Sequence, residues 1–115
     1  MTYDARTRHT GVGASPGRAV GTVRILSEAS LQHEMQEDAI LVTRVLHPHL
    51  APLLARAAGV IVEEGSLLQH ATTLAREFGV PAIVGVAGAV TLFSDGDEIE
   101  MDGDTGVIVV RQAVS

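Results

Sequence analysis

Three short apolar runs decide most about how this chain can fold: Ala39-Ile40-Leu41-Val42, Gly59-Val60-Ile61-Val62 and Ala82-Ile83-Val84. Each is too short for a buried helix; the first reads as a short apolar strand, the second as a buried strand, and the third as a short apolar segment between Pro81 and a glycine-rich link. Between them lie two stretches with helical spacing. After Pro48, which suits the first turn of a helix, Leu50, Leu53, Leu54 and Ala57 recur at that spacing until Gly59. After the glycine turn Glu63-Glu64-Gly65-Ser66, a stripe of Leu67, Ala71, Leu74, Ala75 and Phe78 runs to a stop at Gly79. Strand and helix alternate through the middle of the chain.

The flanks read differently. Residues 19–26 alternate as a strand behind GVGASPGRAVG (residues 11–21), where four glycines and Pro16 predict turn geometry. Glu98-Ile99-Glu100-Met101 and Val107-Ile108-Val109-Val110 are β segments. The turns Asp95-Gly96-Asp97 and Asp102-Gly103-Asp104 bracket the first of them and predict hairpin chemistry. Residues 27–38 are polar and acidic, with room for one helical turn. The first ten residues are polar and aperiodic, which predicts a flexible N-terminal tail over 1–10 and a single domain over 11–115. The expectation is a mixed α/β sheet structure with helices on one side.

Composition narrows the function. The chain has 115 residues, one domain's worth. Its 46% hydrophobic content supports a core, although aromatics are only 3%, so that core is Val, Ile, Leu and Ala around many glycines. Absence of cysteine removes disulfides, thiolate metal sites and cysteine nucleophiles. The formal charge of −6 would repel a phosphate backbone, which argues against nucleic-acid binding. All eight basic residues are arginine, so neither a Schiff-base amine nor a P-loop lysine is available. No apolar run approaches a membrane span and the N-terminus has no apolar signal core, so the chain reads as soluble and cytoplasmic.

His70 is the residue most suited to chemistry. It follows a strand and a glycine turn and falls in the opening turns of the second predicted helix. Backbone N–H groups there lack intrahelical partners, and the helix dipole favours an anion. The same field disfavours imidazolium, and neutral imidazole is the nucleophilic form. A ring at this place is therefore activated for attack on phosphorus. On a helical wheel Thr73 and Glu77 share its edge. The alternative is a half-buried helix histidine hydrogen-bonded to its neighbours.

Other candidates are weighed against plainer roles. Ser66-Leu67-Leu68-Gln69 fits a capping box, which accounts structurally for both Ser66 and Gln69. Arg76 is a candidate for binding phosphate and Glu77 for orienting His70, against the plain alternative of a solvated helix face. Arg18 and Arg44 each lie beside a turn, where a guanidinium clamps phosphate bidentately. His47-Pro48-His49 lacks the carboxylate or cysteine spacing of a metal site. The acidic stretch over residues 95–104 lacks the ligand order of a calcium loop, and residues 11–17 match neither a P-loop nor a dinucleotide fingerprint.

Taken together, several segments resemble the mobile, or swivelling, phosphohistidine domain of phosphoenolpyruvate (PEP)-utilising enzymes, a family that includes pyruvate phosphate dikinase, PEP synthase, Enzyme I of the sugar phosphotransferase system and rifampin phosphotransferase. The resemblance covers roughly residues 11–110. It rests on Gly11-x-x-Ala14-Ser15-Pro16-Gly17-x-Ala19-x-Gly21-x-Val23, on Ile40-Leu41-Val42-Thr43 with Pro48, on Ala58-Gly59-Val60-Ile61-Val62, and on the unbroken series from His70-Ala71 through Ala75-Arg76-Glu77, Gly79-Val80-Pro81-Ala82 and Val84-Gly85. The chain departs from the family at Ser66, where a second glycine usually follows Gly65, and at Gln69, where Ser or Cys usually stands. Leu68, Thr72 and Thr73 are smaller departures.

The resemblance implies a swivelling β/β/α fold of three layers. It also implies that His70 accepts a phosphoryl group, supported by Gly65, Ser66, Gln69, Ala71, Thr73, Arg76 and Glu77, and shuttles it between separate sites. Those sites, an ATP-grasp-type nucleotide domain and a PEP, pyruvate or other acceptor domain, are expected on partner subunits or on the rest of a longer chain, together with the Mg2+ that accompanies ATP or PEP. No metal or other cofactor is expected on this chain, and it is not expected to be active alone. The alternative is a docking or regulatory domain that keeps the fold without phosphorylation, and a metal-binding histidine module stands behind both.

Overall fold

In the computed structural model, which describes residues 3–26, 39–47, 50–64 and 68–114, the three apolar runs form three neighbouring strands of one eight-stranded mixed sheet. They are β4 (Ile40–Thr43), β5 (Gly59–Val62) and β6 (Ala82–Val84), mutually parallel, with Leu41 opposite Val60 and Ile61 opposite Ile83. The alternating segment forms β3 (Arg18–Ile25), which pairs in parallel with β4 on one side. On its other side β3 meets β7 (Glu98–Asp102) antiparallel, and β7 continues as a hairpin into β8 (Val107–Val114). With β1 (Tyr3–Thr10) and β2 (Val12–Ser15) added, the order is β1-β8-β7-β3-β4-β5-β6-β2.

Alternation along the buried strands divides the core in two, because successive side chains leave a strand on opposite faces. Ile40, Val42, Ile61 and Ile83 point one way and pack with Val23, Ile99, Met101, Ile108 and Val110, so this interior lies between the parallel and the antiparallel parts of the sheet. Leu41, Val60, Val62, Ala82 and Val84 point the other way, against Leu50, Leu54 and Ala75 of the helical layer. That layer consists of α1 (Ala51–Leu54) and α2 (Leu68–Phe78). Antiparallel sheet, parallel sheet and helices thus make the three layers implied by the resemblance.

Four expectations are corrected or displaced. Residues 3–10, expected as a tail, form β1 in register with β8 from Tyr3↔Val114 to Thr10↔Val107. The pairing uses backbone groups and needs no apolar periodicity. Ahead of the expected strand, where residues 11–17 suggested only turns, Val12–Ser15 form β2, and the glycines serve a close approach: a Cβ on Gly103 would run into the Ser15 carbonyl, and one on Gly106 (φ +82) into the Gly11 carbonyl. Gly11 N–H donates to the Gly106 carbonyl at 2.9 Å, so the β7–β8 turn is clamped on the chain between β1 and β2. The helix expected through Ala57 is only α1, because Arg56 and Ala57 close tighter i→i−3 bonds to Leu53 and Leu54. Finally, α3 (Ala89–Leu92), inside the glycine-rich link, packs away from the helical layer, with Ala89 and Phe93 in the interior cluster. Pro48 and the acidic stretch 27–38 lie outside the described residues.

Candidate functional site

The carboxyl ends of β4, β5 and β6 all face one edge of the sheet, the edge where parallel α/β sheets bind ligands. Glu63 directly follows β5 and α2 begins at Leu68, so the N-terminus of α2 lies at that edge. The helix ends as the sequence predicts. Gly79 adopts φ +67, its N–H donates to the Arg76 carbonyl at 3.1 Å, and the Val80 N–H reaches back to the Ala75 carbonyl at 3.0 Å. This is a Schellman closure. Ala75 is buried in the core and Leu74 packs against it, which fixes the rotation of the helix about its axis.

Gln69, His70 and Ala71 occupy the first turn of α2, and Gly65 and Ser66 lie outside the described residues. At 100° per residue, Glu77 falls within about 20° of position 70 around the helix and Thr73 within about 60°. Both are exposed, so the edge of α2 that carries position 70 opens to solvent. Arg76 is exposed too, but it stands in the last turn, ~9 Å along the axis from position 70 and about 120° round it. Thr73 and Glu77 are brought to one edge with position 70, and Arg76 is not.

The two turn arginines are separated by the topology. Arg18 opens β3 at the opposite edge of the sheet, 78% exposed and 4.0 Å from Asp102. Arg44 follows the end of β4, and its carbonyl accepts the Glu64 N–H at 2.9 Å, so it shares the edge with the start of α2. Among the described residues no three His, Asp or Glu side chains converge as metal ligands, and His49 lies outside them.

Sequence reasoning missed Glu63. It reads as a turn residue, yet its Oε1 accepts the N–H of Val90 in α3 at 3.2 Å, across 27 residues of chain. Its own N–H donates to the Thr43 carbonyl at 2.9 Å. The one available signal was Gly88, a helix N-cap with no side chain to satisfy the amides of α3.

The sequence has counterparts among known proteins. The sequence pattern of the PEP-utilising enzyme mobile domain matches residues 35–106. The chain belongs to this family. The prodigiosin synthesizing transferase PigC of Serratia marcescens is 38% identical over 90% of the chain, and a probable PEP synthase of Archaeoglobus fulgidus is 38% identical over 85% of it. The chain spans only 12% and 13% of the length of those two relatives. A solution structure of Enzyme I superimposes on 67% of the chain and 32% of its own with a TM-score of 0.60 at 24% identity, a likeness of fold. Membership of the mobile-domain family agrees with the three-layer architecture, and no helix among the described residues is long and apolar enough to cross a membrane.

Proposed function

We propose that this chain is a phosphoryl carrier in which His70 is the acceptor. The reading is supported above all by one observation: residue 70 stands in the first turn of α2, at the carboxyl edge of the parallel strands, within the segment matched by the mobile-domain family. In the reaction, the lone pair of the outer ring nitrogen, Nε2, attacks phosphorus. The bond from phosphorus to the donor's leaving oxygen breaks, its electron pair stays on that oxygen, and the proton on the other ring nitrogen passes to water. A second acceptor later attacks the same phosphorus and returns the ring to its starting state. Such transfer depends on positioning and electrostatics rather than on elaborate covalent chemistry.

In this reading the first-turn amides around Gln69 and Ala71, with Gly65 and Ser66 ahead of them, face the phosphoryl oxygens. Thr73 and Glu77 lie along the same edge of α2 as position 70, and Arg76, on another side of the helix, is a candidate for the phosphate only at longer range. Donor and acceptor sites belong to an ATP-grasp-type domain and a PEP, pyruvate or other acceptor domain, with Mg2+ bound there beside ATP or PEP. The setting is cytoplasmic, and the chain turns over nothing alone.

The test is intact mass of the native chain and of His70→Ala, before and after incubation with ATP or PEP and an extract holding the natural partners. The expected outcome is an acid-labile adduct of one phosphoryl group on the native chain and none on the variant. A folded native chain that gains no adduct from either donor would overturn the proposal in favour of a docking domain that keeps the fold without phosphorylation.

A further inference from the structure

We infer that Glu63 is a positioning residue for His70, an inference that rests on the carrier reading above. Three observations carry it. Glu63 is the point at which the chain leaves β5 for α2, and its N–H, bonded to the Thr43 carbonyl, extends the β4–β5 ladder by one step. Its carboxylate is half-buried and bonded to Val90 N–H at 3.2 Å. The helix so engaged, α3, begins at Gly88, which offers no capping side chain, and is anchored by Ala89 and Phe93 in the interior between the two parts of the sheet. The α3 amide and the Glu63 carboxylate therefore satisfy one another across the structure, doing between distant segments what an N-cap does locally.

The consequence is geometric and electrostatic. Ladder bonds at Glu63 and Glu64 and the packing of α2 on the helical side hold the two described ends of this connection, and the Glu63–Val90 bond adds a further attachment. With it, the exit from β5 is also tied to the interior core. The bond further commits a carboxylate to an amide at the very edge where a phosphoryl dianion has to arrive. Released, Glu63 would stand there as an uncommitted negative charge, opposing the anion. Glu63 touches neither donor nor acceptor in this account and acts through His70.

The probe is potassium phosphoramidate, which transfers phosphoryl to imidazole without a partner protein. The ring nitrogen attacks phosphorus, the phosphorus–nitrogen bond of the reagent breaks, and ammonia leaves with that electron pair and a proton. We expect Glu63→Ala to slow phosphorylation of the chain about tenfold, and Glu63→Gln, whose amide oxygen still accepts from Val90, to stay within about twofold of native. Glu63→Asp keeps the charge but shortens the reach. It should behave like Glu63→Ala, and it serves as the test should the alanine variant fail to fold.

The readout that a merely structural role would not move is the tautomer balance of the His70 imidazole, read from its 15N shifts at fixed pH. It should change in the alanine and aspartate variants and be restored by glutamine. Folded alanine and aspartate variants with native phosphorylation rate and native His70 shifts, despite faster hydrogen exchange at Val90, would overturn the inference. If the native chain takes no phosphoryl group from the reagent, the carrier reading fails while the 15N shifts still decide whether Glu63 positions His70.

Discussion

The two parts of the sheet solve different problems with the same residue types. In the parallel part, β4 and β5 are buried at every position, because the interior covers one face and the helices the other. In the antiparallel part, β7 alternates exposed or half-buried Glu98, Glu100 and Asp102 with buried Ile99 and Met101, because one face meets solvent. A continuous apolar run marks the first kind of strand and strict alternation the second. The difference also locates function. The fully covered part supplies a rigid edge from which α2 projects, and the half-open part carries its chemistry as surface ion pairs such as Arg111–Glu100, 3.5 Å apart.

The largest way to break this contrast is to empty one face of the covered strands. Ile61→Ala opens the interior and Leu41→Ala opens the helical side, and each should destabilise the fold by about 2–5 kcal/mol in urea denaturation, since both residues are wholly buried. Near-native stability for either would mean that its face is not a packed core. Next in size is Gly103→Ala. Its new Cβ meets the Ser15 carbonyl, backbone that cannot swing away, so a loss of about 1–3 kcal/mol is expected, with faster hydrogen exchange at Gly11. The smallest change sharpens the comparison from the other side. Glu100→Gln should cost no more than ~1 kcal/mol at low salt and nothing measurable at high salt, because both side chains keep about 40% of their surface in solvent.

The strands that were legible in the sequence are those whose pattern is imposed by burial. Runs such as Val60-Ile61-Val62 and the alternation of β3 and β7 report directly on which faces are covered. β1 was not legible, because it joins β8 through backbone bonds and its one described inward contact is His9 edge-on to Phe93, ring centroids 5.3 Å apart. No hydropathy pattern announces a polar ring packed on an aromatic one. α3 escaped notice for a related reason: one turn of helix with two anchors gives no periodicity. At the candidate site, the place of position 70 in the opening turn of α2 was legible because a glycine turn and an apolar stripe ending at Gly79 announce that helix. Glu63 was not, because its partner, the Val90 amide, belongs to the backbone and is distant in sequence, and a backbone donor leaves no trace in residue identity.

The register of β1 on β8 has a mechanical consequence. β7 begins at Glu98, opposite Arg111, so the last pairs, Ala5↔Gln112, Asp4↔Ala113 and Tyr3↔Val114, form a two-stranded ribbon reaching past their neighbour. The start of β1 and the end of β8 lie side by side, Tyr3 opposite Val114 about 5 Å apart. Any longer chain carrying this unit holds it by a double tether at a single place, so the body can turn about that place without its two attachments being pulled apart. Splicing it into a host loop would likewise require the host to open by only one strand spacing.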